Sequence, residues 1–153
     1  MKALFVCTGN MCRSPMAMFM LRAELQKRGI AGIDADSAGT MKHEKPMTSF
    51  AVQALDKHNV PHDEYVSKFV NKDVFDGADF VFAMTEGHKL IIESMYGASK
   101  KVLPISKFLG HEISDPYGLG EAAYEQTFQE LKVAILQIVD FLQKSAVLTK
   151  QGI

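Results

Sequence analysis

The sequence predicts an α/β fold: a doubly wound, four-stranded parallel sheet flanked by helices on both faces, in one domain spanning 1–153. Three observations carry this reading. Short apolar runs alternate with segments of helical periodicity. The runs are apolar throughout rather than at alternate positions, which marks strands buried on both faces. A chain of 153 residues is long enough to bury one core without staples.

Leu4, Phe5 and Val6 read as a buried first strand. Ser14 followed by Pro15 reads as an N-cap with proline at the first helical position, and this helix runs to Arg28, where Gly29 supplies the stop. Asp34 to Gly39 forms a weaker strand, and Thr48 to His58 a helix with Phe50, Val52, Ala54 and Leu55 as its apolar face. Ala78 to Met84 is a continuous apolar run of strand length. Thr85 then caps a helix that carries Leu90, Ile91 and Met95 and closes at Gly97. Lys101 to Ile105 gives the fourth strand. Tyr124, Phe128, Leu131, Ile135, Ile138 and Leu142 recur in steps of four and three, which is one face of a last helix. Ala146 to Ile153 is expected to fray.

The composition excludes several function classes. With 47% hydrophobic and 23% charged residues, a net charge of −1 and a pI near 6.5, the chain has no bulk attraction to nucleic acid or anionic membrane, and neither is expected as a partner. The apolar stretch Ala3 to Val6 is too short for a signal peptide or a membrane span, so a cytoplasmic location is expected. In that reducing compartment Cys7 and Cys12 are expected to be catalytic, redox-active or merely buried rather than a permanent staple.

Both cysteines fall in "VCTGNMCRSP", Val6 to Pro15, the turn between the first strand and the first helix. In a doubly wound sheet such turns line the ligand crevice. Thr8, Gly9, Asn10, Met11, Cys12 and Arg13 offer consecutive backbone N–H groups. Gly9 and Asn10 tolerate positive φ, which would let the loop wrap inward as an anion-binding nest. The following helix adds its positive dipole end. Arg13 brings a planar fork matched to two oxygens of a phosphate. A Cys7 thiol at the floor of such a bowl is expected to serve as a thiolate nucleophile, with phosphoryl transfer to sulfur as the natural reaction.

The segment Cys7 to Ser14, Cys-x5-Arg-Ser after a short strand, resembles the low-molecular-weight protein tyrosine phosphatases, whose loop reads V-C-x-G-N-x-C-R-S-P. "DSAGT" at Asp36 to Thr40, "FAMTEGHKLI" at Phe82 to Ile91 and "ISDPYG" at Ile113 to Gly118 match further landmarks of that family in order. The resemblance implies Cys7 as nucleophile, Arg13 as transition-state clamp and Asp115 as general acid. Pro116 keeps Asp115 out of helical geometry. It also implies that Asn10 is the loop's strained residue, that Ser37 helps to pin it, and that Ser14 stabilises the thiolate besides capping the helix. Met11, Tyr117 and the stretch Met41 to Glu44, including His43, would wall the substrate crevice. Cys7 and Cys12 would form a reversible disulfide. Many members carry a bracing histidine where this chain has Tyr65, which leaves the bracing network open.

The resemblance therefore implies hydrolysis of phosphotyrosine in a phosphorylated protein or peptide, with inorganic phosphate or a similar oxyanion held in the loop. No cofactor or metal is expected, because backbone amides and Arg13 supply the positive field. A protein-arginine phosphatase shares the framework; "DPYG", with one aromatic, and "AMTEGHKLII" lean toward it. Met11 leans the other way, since arginine-selective members carry a small threonine there. Arsenate reduction would need cysteines beyond Cys12. A non-catalytic redox switch or anion-binding module would need neither Arg13 nor Asp115. The five histidines, His43, His58, His62, His88 and His111, lie in polar segments and are expected to be solvated.

Overall fold

A computed structural model describes residues 1–152. Four strands, β1 (Lys2–Cys7), β2 (Asp34–Gly39), β3 (Phe80–Ala83) and β4 (Val102–Pro104), form one parallel sheet in the order β2-β1-β3-β4. β1 lies in the interior with its last residue, Cys7, in register with Gly39. The helices are α1 (Arg13–Lys27), α2 (Ser49–Lys57), α3 (Lys72–Asp76), α4 (Glu86–Tyr96), α5 (Ser106–Leu109) and α6 (Glu121–Lys150).

The period-two pleat divides β1 between two cores. Ala3 and Phe5 point into a larger cluster with Met16, Leu21, Leu55, Phe82, Leu131 and Ile138, beneath α1, α2 and α6. Leu4 and Val6 point the other way, into Val70, Phe75, Val81, Ile92 and Val102, beneath α3 and α4. Each fully buried side chain of this size contributes roughly 1.5–3 kcal/mol. Every residue of α1 from Arg13 to Leu21 is buried, because the helix is wedged between the sheet and α6. Met16, Met18 and Met20 accordingly fill core.

Several boundaries differ from the sequence reading. α1 begins at Arg13, with Cys12 in the N-cap position and no side-chain cap, so Ser14 caps nothing; its hydroxyl is engaged inside the loop. β3 and β4 are shorter than the apolar runs that announced them. On α2 the buried residues are Ala51, Ala54 and Leu55, while Phe50 and Val52 lie at the margin. α6 continues to Lys150, so the expected fraying does not begin at Ala146; Ile153 lies outside the described residues. α3 and α5 have no counterpart in the sequence reading, being too short to show a period. α3 does carry a local signature, with Asn71 Oδ1 accepting from Val74 N at 2.9 Å and Gly77 at its end.

Candidate active site

The strand order turns at β1: β2 lies on one side, β3 and β4 on the other. The crevice outside the carboxyl ends of β1 and β3 is the topological switch point, where open α/β sheets bind ligands. A cleft of about 210 Å³ opens there, lined by Cys7 to Arg13, Met41, His43, Lys45, Asp115 and Tyr117.

Asn10 organises the loop. Its φ of 56° is left-handed, a conformation Asn tolerates better than most residues. Gly9, in contrast to the sequence expectation, does not adopt positive φ. The fully buried Asn10 amide fills all its valences: Nδ2 donates to Ser14 Oγ at 2.7 Å and to Ser37 Oγ at 3.0 Å, while Oδ1 accepts from Tyr65 OH at 2.7 Å and Lys68 N at 2.9 Å. Tyr65 also bonds Ser37, at 2.7 Å to Oγ and 3.0 Å to the carbonyl. A neutral phenol thus completes the brace; its burial pushes its pKa above the usual tyrosine value.

This scaffold surrounds the Cys7 sulfur. Sγ accepts from Asn10 N at 3.2 Å and lies 2.9 Å from Ser14 Oγ. The amides of Gly9, Met11, Cys12 and Arg13 have no protein acceptor among the described residues, and the N-terminus of α1 is uncapped, so the positive end of its dipole faces the loop. Arg13 is 5% exposed, and its guanidinium reaches Ile113 O at 3.3 Å through Nη1 and Asp115 Oδ2 at 3.4 Å through Nη2. Asp115 is exposed at the mouth, its Oδ1 accepting from Tyr117 N at 3.1 Å. Folding thereby brings together residues from opposite ends of the chain. The donors and the guanidinium suit a tetrahedral oxyanion, and the sulfur suits attack on its central atom.

A family model described as low molecular weight phosphotyrosine protein phosphatase matches residues 2–148. The chain belongs to this family. Among similar phosphatases is the protein-arginine-phosphatase of Bacillus subtilis (strain 168), 34% identical, the match covering 94% of this chain and 98% of the relative. The low molecular weight protein-tyrosine-phosphatase PtpA of Staphylococcus epidermidis is 32% identical, with coverage of 93% and 94%. Among solved structures, the low molecular weight protein tyrosine phosphatase from T. tengcongensis superposes with a TM-score of 0.86 at 35% identity, covering 92% of this chain and 98% of that one. This phosphatase is therefore an enzyme of a family that includes named tyrosine and arginine phosphatases.

Three features of the phosphatase site escaped the sequence reading. His88 is not solvated: it is 5% exposed and lies 2.8 Å from Thr8 Oγ1, and burial, reinforced by the Arg13 charge, lowers its pKa to about 4. Away from the cleft, His58 is half-buried rather than solvated, stacked on Phe128 at 4.0 Å. Lys45 joins the cleft wall beside His43, whose Nδ1 pairs with Ser67 Oγ at 2.9 Å. Cys12 is held away from solvent by Tyr124 OH at 3.3 Å and Thr48 Oγ1 at 3.5 Å, and burial pushes its thiol pKa up. The polar flanks of His88 concealed it; the Thr85 cap three residues earlier was the available signal, since it puts residue 88 in the first turn of a helix packed on the sheet.

Proposed function

We propose that this phosphatase hydrolyses phosphotyrosine in proteins or peptides through a phosphocysteine intermediate, in the cytoplasm and without a cofactor. The Cys7 thiolate attacks phosphorus as the phosphorus–oxygen bond to tyrosine breaks, and Asp115 donates its proton to the departing oxygen. Water then attacks the phosphocysteine, with the Asp115 carboxylate accepting its proton; phosphate leaves and the thiolate returns. Arg13 and the free loop amides hold the equatorial oxygens through both steps. Asn10, Ser14 and Ser37 hold the loop, and Met11, Met41, His43 and Tyr117 form the walls. Cys12 is the partner for a reversible disulfide with Cys7.

The observation that carries the reading is the convergence of Cys7 Sγ, the uncapped α1 N-terminus, Arg13 and Asp115 on one cleft. A solved structure of YwlE arginine phosphatase, described as a mutant with a phosphorylated active site serine, supports covalent transfer to the nucleophile position; it is 32% identical with a TM-score of 0.87. The arginine alternative stands on that likeness and on the Bacillus subtilis relative. Met11 ranks it second: with Met41 and Tyr117 it lines the cleft with apolar surface suited to an aromatic ring. Kinetics on matched phosphotyrosine and phosphoarginine peptides, for the native chain and Met11→Thr, decide between them. The expected result is preference for phosphotyrosine, weakened in Met11→Thr. A Cys7→Ser protein that still turned over p-nitrophenyl phosphate would overturn both, and mass spectrometry is expected to trap phosphate on Cys7.

A further inference from the structure

The mechanism above gives no part to the side chain of Thr8, the residue after the nucleophile. Its Oγ1 lies 2.8 Å from His88 Nε2, and the other ring nitrogen, Nδ1, lies 3.0 Å from Thr85 Oγ1. Thr85 Oγ1 also accepts the backbone N–H of His88 at 3.2 Å, as the N-cap of α4. His88 is 5% exposed, so its ring is held in place and kept neutral by burial and by the Arg13 charge.

A neutral imidazole has one donor and one acceptor, and the cap decides which is which. If Nδ1 carried the proton, Thr85 Oγ1 would receive two donors, and its own proton would find no acceptor among the described residues. Thr8 would then have to spend its proton on Nε2. With the proton on Nε2, Thr85 donates to Nδ1 and Nε2 donates to the exposed Thr8 Oγ1, so both nitrogens of the buried ring and the half-buried Thr85 hydroxyl are paired within the protein. The hydroxyl proton of Thr8 is then uncommitted, and Thr8 lines the same cleft as Cys7 and Arg13.

We propose that Thr85 and His88 form a fixed relay that frees the Thr8 hydroxyl proton for the cleft, making Thr8 a donor to the oxygens of the bound phosphoryl group and His88 a positioning residue that acts through it. This rests on the phosphatase reading of the cleft. It adds one side-chain donor to the amides and guanidinium, supplied from the β3–α4 side of the switch point.

The test is a double-mutant cycle over Thr8→Val, His88→Leu and the double variant. It reads kcat/KM on p-nitrophenyl phosphate, orthovanadate Kd by calorimetry, and the thermal midpoint. Each single variant is expected to lose about three- to tenfold in kcat/KM and in vanadate affinity, the net effect of one hydrogen bond made by an exposed hydroxyl in a cleft open to solvent. The double variant is expected to be no worse than the poorer single. Thr8→Ser, which keeps the hydroxyl, is expected to stay within about twofold of the native chain. Should His88→Leu fail to fold, His88→Gln, which retains an N–H donor, takes its place and is expected to keep most of the affinity. Unchanged vanadate binding in Thr8→Val, or losses that multiply in the double variant, would overturn the relay. A native chain that binds vanadate but leaves aryl phosphate intact sinks the phosphatase reading, while the vanadate cycle still decides the relay.

Discussion

Replacing Tyr65 with Phe removes one oxygen and leaves the ring in place, edge-on to Phe19 at 6.2 Å. That oxygen accepts from Ser37 Oγ and donates toward Asn10 Oδ1 and Ser37 O. After the change, Asn10 Oδ1 keeps Lys68 N, but the Ser37 hydroxyl, fully buried, loses its acceptor. Two hydrogen bonds at about 0.5–1.5 kcal/mol each, with the desolvation cost of one orphaned hydroxyl at the low end of about 1–3 kcal/mol, sum to about 2–4 kcal/mol. For a chain of this size that lowers the midpoint of thermal unfolding by roughly 4–16 °C. Asn10 holds the left-handed turn that aims its own amide at Cys7 Sγ, so the same change is expected to cost about tenfold in kcat/KM, equivalent to about 1.4 kcal/mol at the transition state. The assays are differential scanning calorimetry and turnover of p-nitrophenyl phosphate. A Tyr65→Phe protein with native midpoint and native kcat/KM would show that the brace does not hold the loop.

Other perturbations follow from the same geometry. Gly39→Ala would place a Cβ 2.6 Å from Thr8 O and 3.0 Å from Asn10 Cβ; a loss of about 1–3 kcal/mol is expected, with activity falling too, read by urea denaturation and turnover. Asp115→Ala is expected to lower kcat by about 10²–10⁴ on aryl phosphates of poor leaving groups and less where the leaving group needs no proton, a contrast read from a substrate series. Cys12→Ser is expected to keep turnover while abolishing any peroxide-induced Cys7–Cys12 disulfide, read by non-reducing peptide mapping. His88 binds its proton at about 4 in the folded chain and at about 6.5 when unfolded. Between those values the unfolded state carries more protons, so stability rises with pH: the contribution is complete above about 6.5 and is lost as pH falls toward 4, by up to about 3 kcal/mol. Urea titrations at both ends of the window are expected to give a flatter profile for His88→Asn than for the native chain, and parallel profiles would refute the assignment.

The sequence alone determined the alternation of elements and the site's address. "VCTGNMCRSP" is legible because strand end, nest and helix start are local: each depends on the preferences of adjacent residues. The apolar stripe on α6 is equally local, since a helical period needs only the residues that make it. What tertiary structure decided lies in residues whose role depends on a distant partner. Ser14 reads as a cap from its neighbours, yet the loop turns its hydroxyl onto Cys7 and Asn10. Tyr65 stands where the sequence leaves the bracing network open, and only the packing of its segment across β2 brings its hydroxyl to Asn10 and Ser37. His88 reads as polar surface until β3 and α4 fold it against Thr8. A side chain's local preference is set by its own backbone, whereas its hydrogen-bond partner and its degree of burial are set by whichever elements the sheet order places beside it.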